Sequence, residues 1–400
     1  MRLLIVCGTR PEAVKLAPVI HQAAKTPGLV CRVCVTGQHR EMLRQVLNFF
    51  RIEPDYDLRV MRDNQDLAAL TGRILHALAP VLDSERPDIA MVQGDTVTSF
   101  AAALAAFYAR IPVAHVEAGL RTHDLSAPFP EEGLRQLTAR LAAIHFAPAA
   151  RNMRALVAEG IPADRIVVTG NTVVDAVLFA RKKLAASPLS PLRAHLTDAQ
   201  IERVRNSPRV IMVTAHRREN FGGGLRNICV ALRAIAESHP EVLIVYPVHP
   251  NPNVARAVER YLSGCSNILL TGPLDYPAFV CLMDASYFIV TDSGGVQEEA
   301  PSLGKPVLVL REATEREEAI ETGQVRLVGA DPLRIVAAAR ELLTSQASYR
   351  RMVSHTNPYG DGQAAARIVN RVLACVGLQP AAGPPLRPLE DGELKFTAAR

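Results

Sequence analysis

Three carboxylates stand where an α/β sheet presents side chains to a ligand. Asp95 comes just after an apolar run at 89–92, in Gln93-Gly94-Asp95-Thr96, and Glu117 closes the run at 113–116, in His115-Val116-Glu117-Ala118-Gly119-Leu120-Arg121. Glu131 opens a helical stretch in Phe129-Pro130-Glu131-Glu132-Gly133-Leu134-Arg135. Asp95 suits a helix N-cap equally well, and Glu131 with Arg135, one turn on, suits an ordinary ion pair along one helix face. Glu117 fits a structural role less easily, because a glutamate that ends an apolar strand and precedes a small residue packs poorly. Carboxylates gathered in a cleft are a means of moving protons to and from a substrate.

The second chemistry is anion binding. Thr291-Asp292-Ser293-Gly294-Gly295-Val296-Gln297-Glu298-Glu299 follows an apolar run at 287–290 and leads into a helix expected to open at Val296, with the glycine pair in the turn between them. Free N–H groups at a helix start, reached through glycines, bind phosphate without a basic side chain. Ser293 adds a hydroxyl and a cap, and Glu298 or Glu299 is placed to accept hydrogen bonds from sugar hydroxyls. Gly8-Thr9-Arg10-Pro11-Glu12-Ala13-Val14-Lys15 puts Pro11 in the first turn of a helix, with Arg10 at its mouth and Lys15 one turn on. A guanidinium there can fork onto a phosphate, or both cations can be solvated helix charges. His216-Arg217-Arg218 concentrates cations at a strand end, at a cost in self-repulsion unless an anion neutralises them. Gln38 and His39 end another strand, His249 follows a third, and Phe279 offers a ring either to a nucleobase or to the core.

All these motifs hang on one organisation. Short apolar runs at 3–6, 31–35, 89–92, 113–116, 166–168, 210–213, 243–246, 268–270, 288–290 and 307–310 alternate with helical patterns, the signature of parallel sheets buried on both faces. They are too many for one ordinary sheet. Pro188, Pro191 and Pro208 bracket a charged, weakly periodic stretch, so the domain change falls between Val174 and Pro208. The expected fold is α/β, two doubly wound Rossmann-like domains facing across a cleft. Residues 1–174 form the N-terminal domain with the carboxylates, 175–362 the C-terminal domain with the anion site, 363–378 a last helix and 379–400 a proline-rich, poorly packed tail. Ligands of such sheets lie beyond the strand carboxyl ends, so both halves should converge on one interdomain cleft.

The 400 residues suffice for separate cores without staples. A net charge of +5 with no basic block argues against nucleic acid and suits a small anionic substrate. The seven cysteines are scattered, mostly in apolar runs, as in a reduced cytoplasmic protein. Cys31 and Cys34 have metal-like spacing but lie in one predicted strand, facing opposite ways, so neither a metal nor another cofactor is expected. The apolar run at 3–7 is too short for a signal peptide, and none reaches the length of a membrane span, so the expected location is the cytoplasm, off the membrane.

Taken together, the motifs resemble those of the bacterial non-hydrolysing UDP-N-acetylglucosamine 2-epimerases. The likeness runs through Gly8 to Glu12, Thr36-Gly37-Gln38-His39-Arg40-Glu41-Met42-Leu43, Gly94-Asp95-Thr96, His115 to Arg121, Gly170-Asn171-Thr172-Val173, His216 to Asn220, Asp292 to Gly295 with Gln297 to Pro301, and Asn357-Pro358-Tyr359-Gly360-Asp361-Gly362. The resemblance implies a GT-B type fold, a homodimer, and a last helix that crosses back onto the N-terminal domain. It implies UDP held by Arg10, His216, Ser293, Gly294, Gly295 and Glu299, with Phe279 beside the uracil. It associates catalysis with Lys15, Asp95, Glu117, Glu131, Arg135 and His216. A second, activating UDP-sugar in some members would use positions matching Gln38, His39, Gln65 and His249. Two positions depart from the family pattern: Leu134 replaces the usual asparagine before the helix arginine, and Asn64 stands where regulated members have a cation.

The chemistry implied is an elimination. Carbon-2 of the sugar is not next to a carbonyl, and no nicotinamide motif of the G-x-G-x-x-G type offers an oxidative route. Loss of UDP from carbon-1 with removal of the carbon-2 proton gives a 2-acetamidoglucal, and re-addition after protonation from the other face inverts carbon-2. Acid/base groups are then needed on both faces, which makes several carboxylates intelligible together. A glycosyltransferase of the same fold, a hydrolysing epimerase and a silent UDP-sugar sensor are the alternatives.

Overall fold

The computed structural model describes residues 1–375 except 38–39, 63–64, 315 and 354–356; Gln38, His39, Asn64 and the tail from 379 thus lie outside the described residues. Two parallel sheets form the frame. The first holds β1 (Arg2–Cys7), β2 (Val30–Val35), β3 (Tyr56–Asp57), β4 (Ile89–Gln93), β5 (Val113–Val116), β6 (Ile144–Ala147) and β7 (Ile166–Val168), in the order β3-β2-β1-β4-β5-β6-β7. The second holds β8 (Arg209–Thr214), β9 (Val242–Pro247), β10 (Ile268–Thr271), β11 (Phe288–Thr291), β12 (Val307–Val309) and β13 (Val325–Leu327), in the order β10-β9-β8-β11-β12-β13. The expected α/β class with two doubly wound domains is therefore what the chain adopts. In each sheet the order reverses between two neighbouring strands, β1 and β4 or β8 and β11, and such a reversal opens a crevice at the strand ends.

Both faces of both sheets are buried, which explains the unbroken apolar runs. In β1, Leu3, Ile5 and Cys7 enter one core cluster while Leu4 and Val6 enter another. The first cluster continues into the second domain through Met212, Val245 and Ile289, and the rings of Phe49 and Phe50 meet Tyr276 with centroids 6.0 and 5.8 Å apart. The helix Ala364–Ala374 packs on the helices Arg10–Ala24 and Thr172–Leu184, and Asp175 accepts its first free amides, from Ala365 at 2.9 Å and Ala364 at 3.3 Å.

Candidate active site

The turns that follow β1, β4, β5, β7, β8 and β11, with the helix Glu131–Leu141, supply the residues of the candidate site. The first is fixed by Glu12, a fully buried carboxylate whose Oε2 accepts the N–H groups of Gly8 (2.9 Å) and Thr9 (2.7 Å) and whose Oε1 accepts the hydroxyl of Thr96 at 2.7 Å. It ties the turn after β1 to the turn after β4. Gly8 is required there, because a Cβ would lie 2.2 Å from Thr36 Oγ1 and 2.3 Å from Thr98 Oγ1. Arg10 emerges from this turn into reach of His216 and Glu299 of the other domain, lowering the pKa of each.

Glu117 holds a left-handed backbone conformation, φ 63°, which costs a non-glycine residue about 1 kcal/mol or more and recurs at functional positions. Its side chain is buried and fully engaged: Oε1 accepts from Lys15 Nζ at 2.5 Å and from Asn171 Nδ2 at 3.1 Å, and Oε2 accepts from Gln93 Nε2. Burial alone would raise the Glu117 carboxyl, but Lys15, then Arg316 and Asn171, outweigh it and hold the group below its ordinary range. Burial would likewise lower the Lys15 ammonium, yet Glu117 and Glu298 raise it. Gly119, at φ 91°, lets the chain after Glu117 press against the Asn152 carbonyl, 2.3 Å from where a Cβ would stand.

Asp95 faces the cleft with its side chain 26% exposed, and Oδ2 accepts from Arg135 Nη2 at 2.5 Å. Burial pushes its carboxyl up, Arg135 opposes this and Glu117 adds to it, leaving Asp95 above the ordinary aspartate value. The Glu131–Arg135 ion pair that the spacing allowed as an alternative does not form. Arg135 turns to Asp95 and, at 3.3 Å, to Glu132, whose carboxylate also accepts the backbone N–H groups of Thr122 (3.0 Å) and His123 (3.2 Å). Glu131 heads the helix Glu131–Leu141, with Oε2 buried and accepting no hydrogen bond among the described residues.

On the second sheet the glycine pair is helical. The helix starts at Gly294, two residues before the expected position, with Ser293 as an N-cap that makes no side-chain cap bond. The early start leaves the first-turn amides without intrahelical acceptors. Ser293 and Gly295 are half-buried and Gly294 buried; Phe279 is half-buried against the core. Of the two glutamates left open by the sequence, Glu298 turns to the domain interface and pairs with Arg316 Nε at 2.7 Å. Glu299, buried and beside Glu298, is raised by these two effects to about 8, with Lys15 and Arg10 opposing.

His216 stacks on His249, ring centroids 5.3 Å apart and planes within 13°. Its Nδ1 lies 3.5 Å from Oδ1 of fully buried Asp292, whose Oδ2 accepts the N–H groups of His216 and Arg217 at 2.8 Å each and Asn220 Nδ2 at 3.1 Å. Burial lowers His216, and Asp292 partly restores it. Gln65 accepts from Arg62 N–H at 3.1 Å, within its own loop, and from Arg73 of the helix Leu67–Glu85. Asp292, Asn171 and Arg316 had no assigned role in the sequence; the first two lie inside the matched motifs, whereas nothing marks Arg316. Among the described residues no group of three or more His, Cys, Asp and Glu side chains could hold a metal ion.

Two doubly wound parallel-sheet domains, one with buried carboxylates at its strand ends and the other with a glycine pair at a helix start, define a two-domain protein of the GT-B kind. A profile described as UDP-N-acetylglucosamine 2-epimerase matches residues 21–373. A relative of that name from Yersinia pestis is 54% identical over 369 residues, 92% of this chain and 97% of the relative. The crystal structure of UDP-GlcNAc 2-epimerase from Neisseria meningitidis bound to UDP-GlcNAc is similar at TM-score 0.84 and 45% identity, covering 94% of this chain and 100% of that one. The enzyme from Methanocaldococcus jannaschii, in complex with UDP-GlcNAc and UDP, is similar at TM-score 0.76 and 33% identity, again over 94% and 100%. The chain belongs to the UDP-N-acetylglucosamine 2-epimerase family.

Proposed function

We propose that this protein interconverts UDP-N-acetylglucosamine and UDP-N-acetylmannosamine by eliminating and re-adding UDP. The observation that carries the reading is the division of charge across the cleft: proton-transfer groups Asp95, Glu117 and Glu131 come from one domain, and the diphosphate site comes from the other with Arg10 reaching over to it. In the forward direction a carboxylate takes the carbon-2 proton as the bond from carbon-1 to the diphosphate oxygen breaks, and the bonding pair leaves on UDP. The return step delivers a proton to the opposite face of carbon-2 and reforms the bond to carbon-1. Asp95, held above its ordinary pKa, and Glu131, with an unengaged oxygen, exchange protons, while Arg135 orients Asp95. Glu117, kept ionised by Lys15, shares in the transfer. His216, Arg10, Ser293 and the amides of Gly294 and Gly295 receive the charge on the departing diphosphate, with Glu299 at the ribose and Phe279 at the uracil. His249, stacked on His216, is the described residue best placed to contact a second UDP-sugar.

The proposed change of domain lies between β7, ending at Val168, and β8, starting at Arg209; a limit at 174/175 falls inside the helix Thr172–Leu184. A homodimer is supported by Tyr108 (70% exposed) and Leu137 (51% exposed) on neighbouring helices, and no described helix is long and apolar enough to cross a membrane. A cytoplasmic location follows from the nucleotide-sugar substrate. Proton NMR of the anomeric signals in deuterated water tests the reaction. UDP-N-acetylglucosamine alone should yield the manno signal with deuterium at carbon-2; release of free sugar and UDP, or no change without an acceptor, would refute it.

A further inference from the structure

Asn171 does more than its place in the fold demands. It follows β7, and its Oδ1 accepts Val173 N–H at 3.1 Å, capping the helix Thr172–Leu184. For that a serine would serve. The amide nitrogen, however, donates to Glu117 Oε1 at 3.1 Å and to Glu298 Oε2 at 3.0 Å, two carboxylates from different domains. All three residues are buried, so water does not substitute for the amide, and a primary amide alone among short neutral side chains carries two donors and an acceptor. The Asn171 backbone N–H crosses the same boundary to the Tyr359 carbonyl at 2.6 Å.

The contacts continue to the diphosphate turn. Glu298 Oε1 accepts from Arg316 Nε at 2.7 Å, and the Arg316 guanidinium lies against Gly294 so closely that a Cβ there would stand 2.6 Å from Nη1. An unbroken series thus runs from Gly294 through Arg316, Glu298 and Asn171 to Glu117 and Lys15. Two carboxylates buried near each other repel unless donors lie between and around them. Asn171 lies between, with Lys15 and Arg316 on the flanks.

We propose that Asn171 is a positioning residue that joins the two domains across the cleft, so that the Lys15–Glu117 pair takes its working geometry only when the diphosphate turn is in place opposite. This rests on the epimerase reading for what Glu117 then does. A loose Glu117 would slow proton transfer without weakening the grip on UDP, a split that loss of a helix cap would not produce.

The test is Asn171→Ser in the full chain, which keeps an oxygen for the cap and removes both donors. We expect UDP to bind within about threefold of wild type. The kcat for UDP-N-acetylglucosamine should fall by about tenfold to a hundredfold, and deuterium entry at carbon-2 in parallel. The low-pH limb of kcat should move upward, because Glu117 has lost a donor that favoured its ionised form. Glu298→Gln, which breaks the series one residue further on, should show the same split and decides the matter if the first variant does not fold. Unchanged kcat in Glu298→Gln, or a lower melting temperature with unchanged kcat and pH limb in Asn171→Ser, would overturn the proposal. The wild-type arm stands apart from these ratios: no conversion there would instead overturn the reaction.

Discussion

Glu299→Gln isolates a buried acid that holds its proton near neutral pH. Burial, then Glu298, carries the Glu299 carboxyl from 4.5 to about 8, against Lys15 and Arg10. A carboxyl that grips its proton more tightly folded than unfolded contributes stability that is fully present below pH 4.5 and is lost as pH rises through about 8. The whole displacement corresponds to at most about 5 kcal/mol. Relaxation around the ionised group and its coupling to Glu298 bring the expected loss to about 1–3 kcal/mol. Glutamine has nearly the same shape and no proton to lose. The ligand-free variant should therefore lie closest to wild type near pH 4.5, gain on it as pH rises, and melt roughly 1–4 °C higher near pH 8.5, read by calorimetry across that range without nucleotide. Parallel curves for the two proteins, or a variant that is less stable at the alkaline end, would show that Glu299 is already ionised and would remove the argument.

Asp95→Asn should bind UDP within about threefold of wild type by calorimetry yet lose about 10²–10⁴ in kcat, the range for a general acid/base, and full activity would remove Asp95 from the mechanism. Asp292→Asn keeps an oxygen for the amides of His216 and Arg217 but withdraws the charge facing His216 Nδ1; the His216 pKa, followed by NMR, should fall further, and UDP affinity should drop by about tenfold. His145, with both ring nitrogens unpartnered, is held by burial at about 3, and its neighbour His115 at about 4. A histidine kept neutral in the fold gives stability that is full above about pH 6.5 and lost as pH falls, so His145→Leu should recover about 1–3 kcal/mol near pH 4.5 in urea melts.

Ten strands were legible because most of them are apolar runs buried on both faces, although Val30 and Arg32 of β2 and Val168 of β7 are exposed. The three that were not have physical reasons. Tyr56–Asp57 pairs only two residues, His145 puts a polar letter in the middle of β6, and Arg326 does the same in β13 on the sheet edge. The glycine pair at 294–295 reads as a turn on propensity, yet packing against Arg316 draws it into the helix. Side-chain direction was the least legible layer. Arg135 chooses Asp95, 40 positions away, over Glu131 one turn back, and only the assembled fold decides that Glu298 pairs with Arg316 while Glu299 does not. Asn171 and Asp292 could be quoted as parts of motifs, but their roles depend on partners 127 and 76 residues distant.

The two sheets share a strand order, so their crevices differ in what closes the turns, and that difference supports the proposed place of the diphosphate. After β1 the chain supplies its own anion: Glu12 accepts the amides of Gly8 and Thr9, and Pro11 removes a further donor. After β4, Thr96 caps the helix by accepting from Ser99 N–H at 3.0 Å. After β8, Asp292 takes the amides of His216 and Arg217. Neither Thr9 after β1 nor Ser293 after β11 makes a side-chain bond to the helix it caps, but Glu12 takes the free amides at the first, whereas among the described residues no carboxylate does so at the second. On the proposed reading an exogenous anion takes the amides of Gly294 and Gly295, and the rest of a UDP-sugar bound there would reach across to the carboxylates of the first domain. A capping acid placed at Ser293, as in Ser293→Asp, should occupy the same amides and abolish UDP binding while leaving the melting temperature of the ligand-free protein unchanged or higher, because it supplies in the chain the charge that the site is built to take from the ligand.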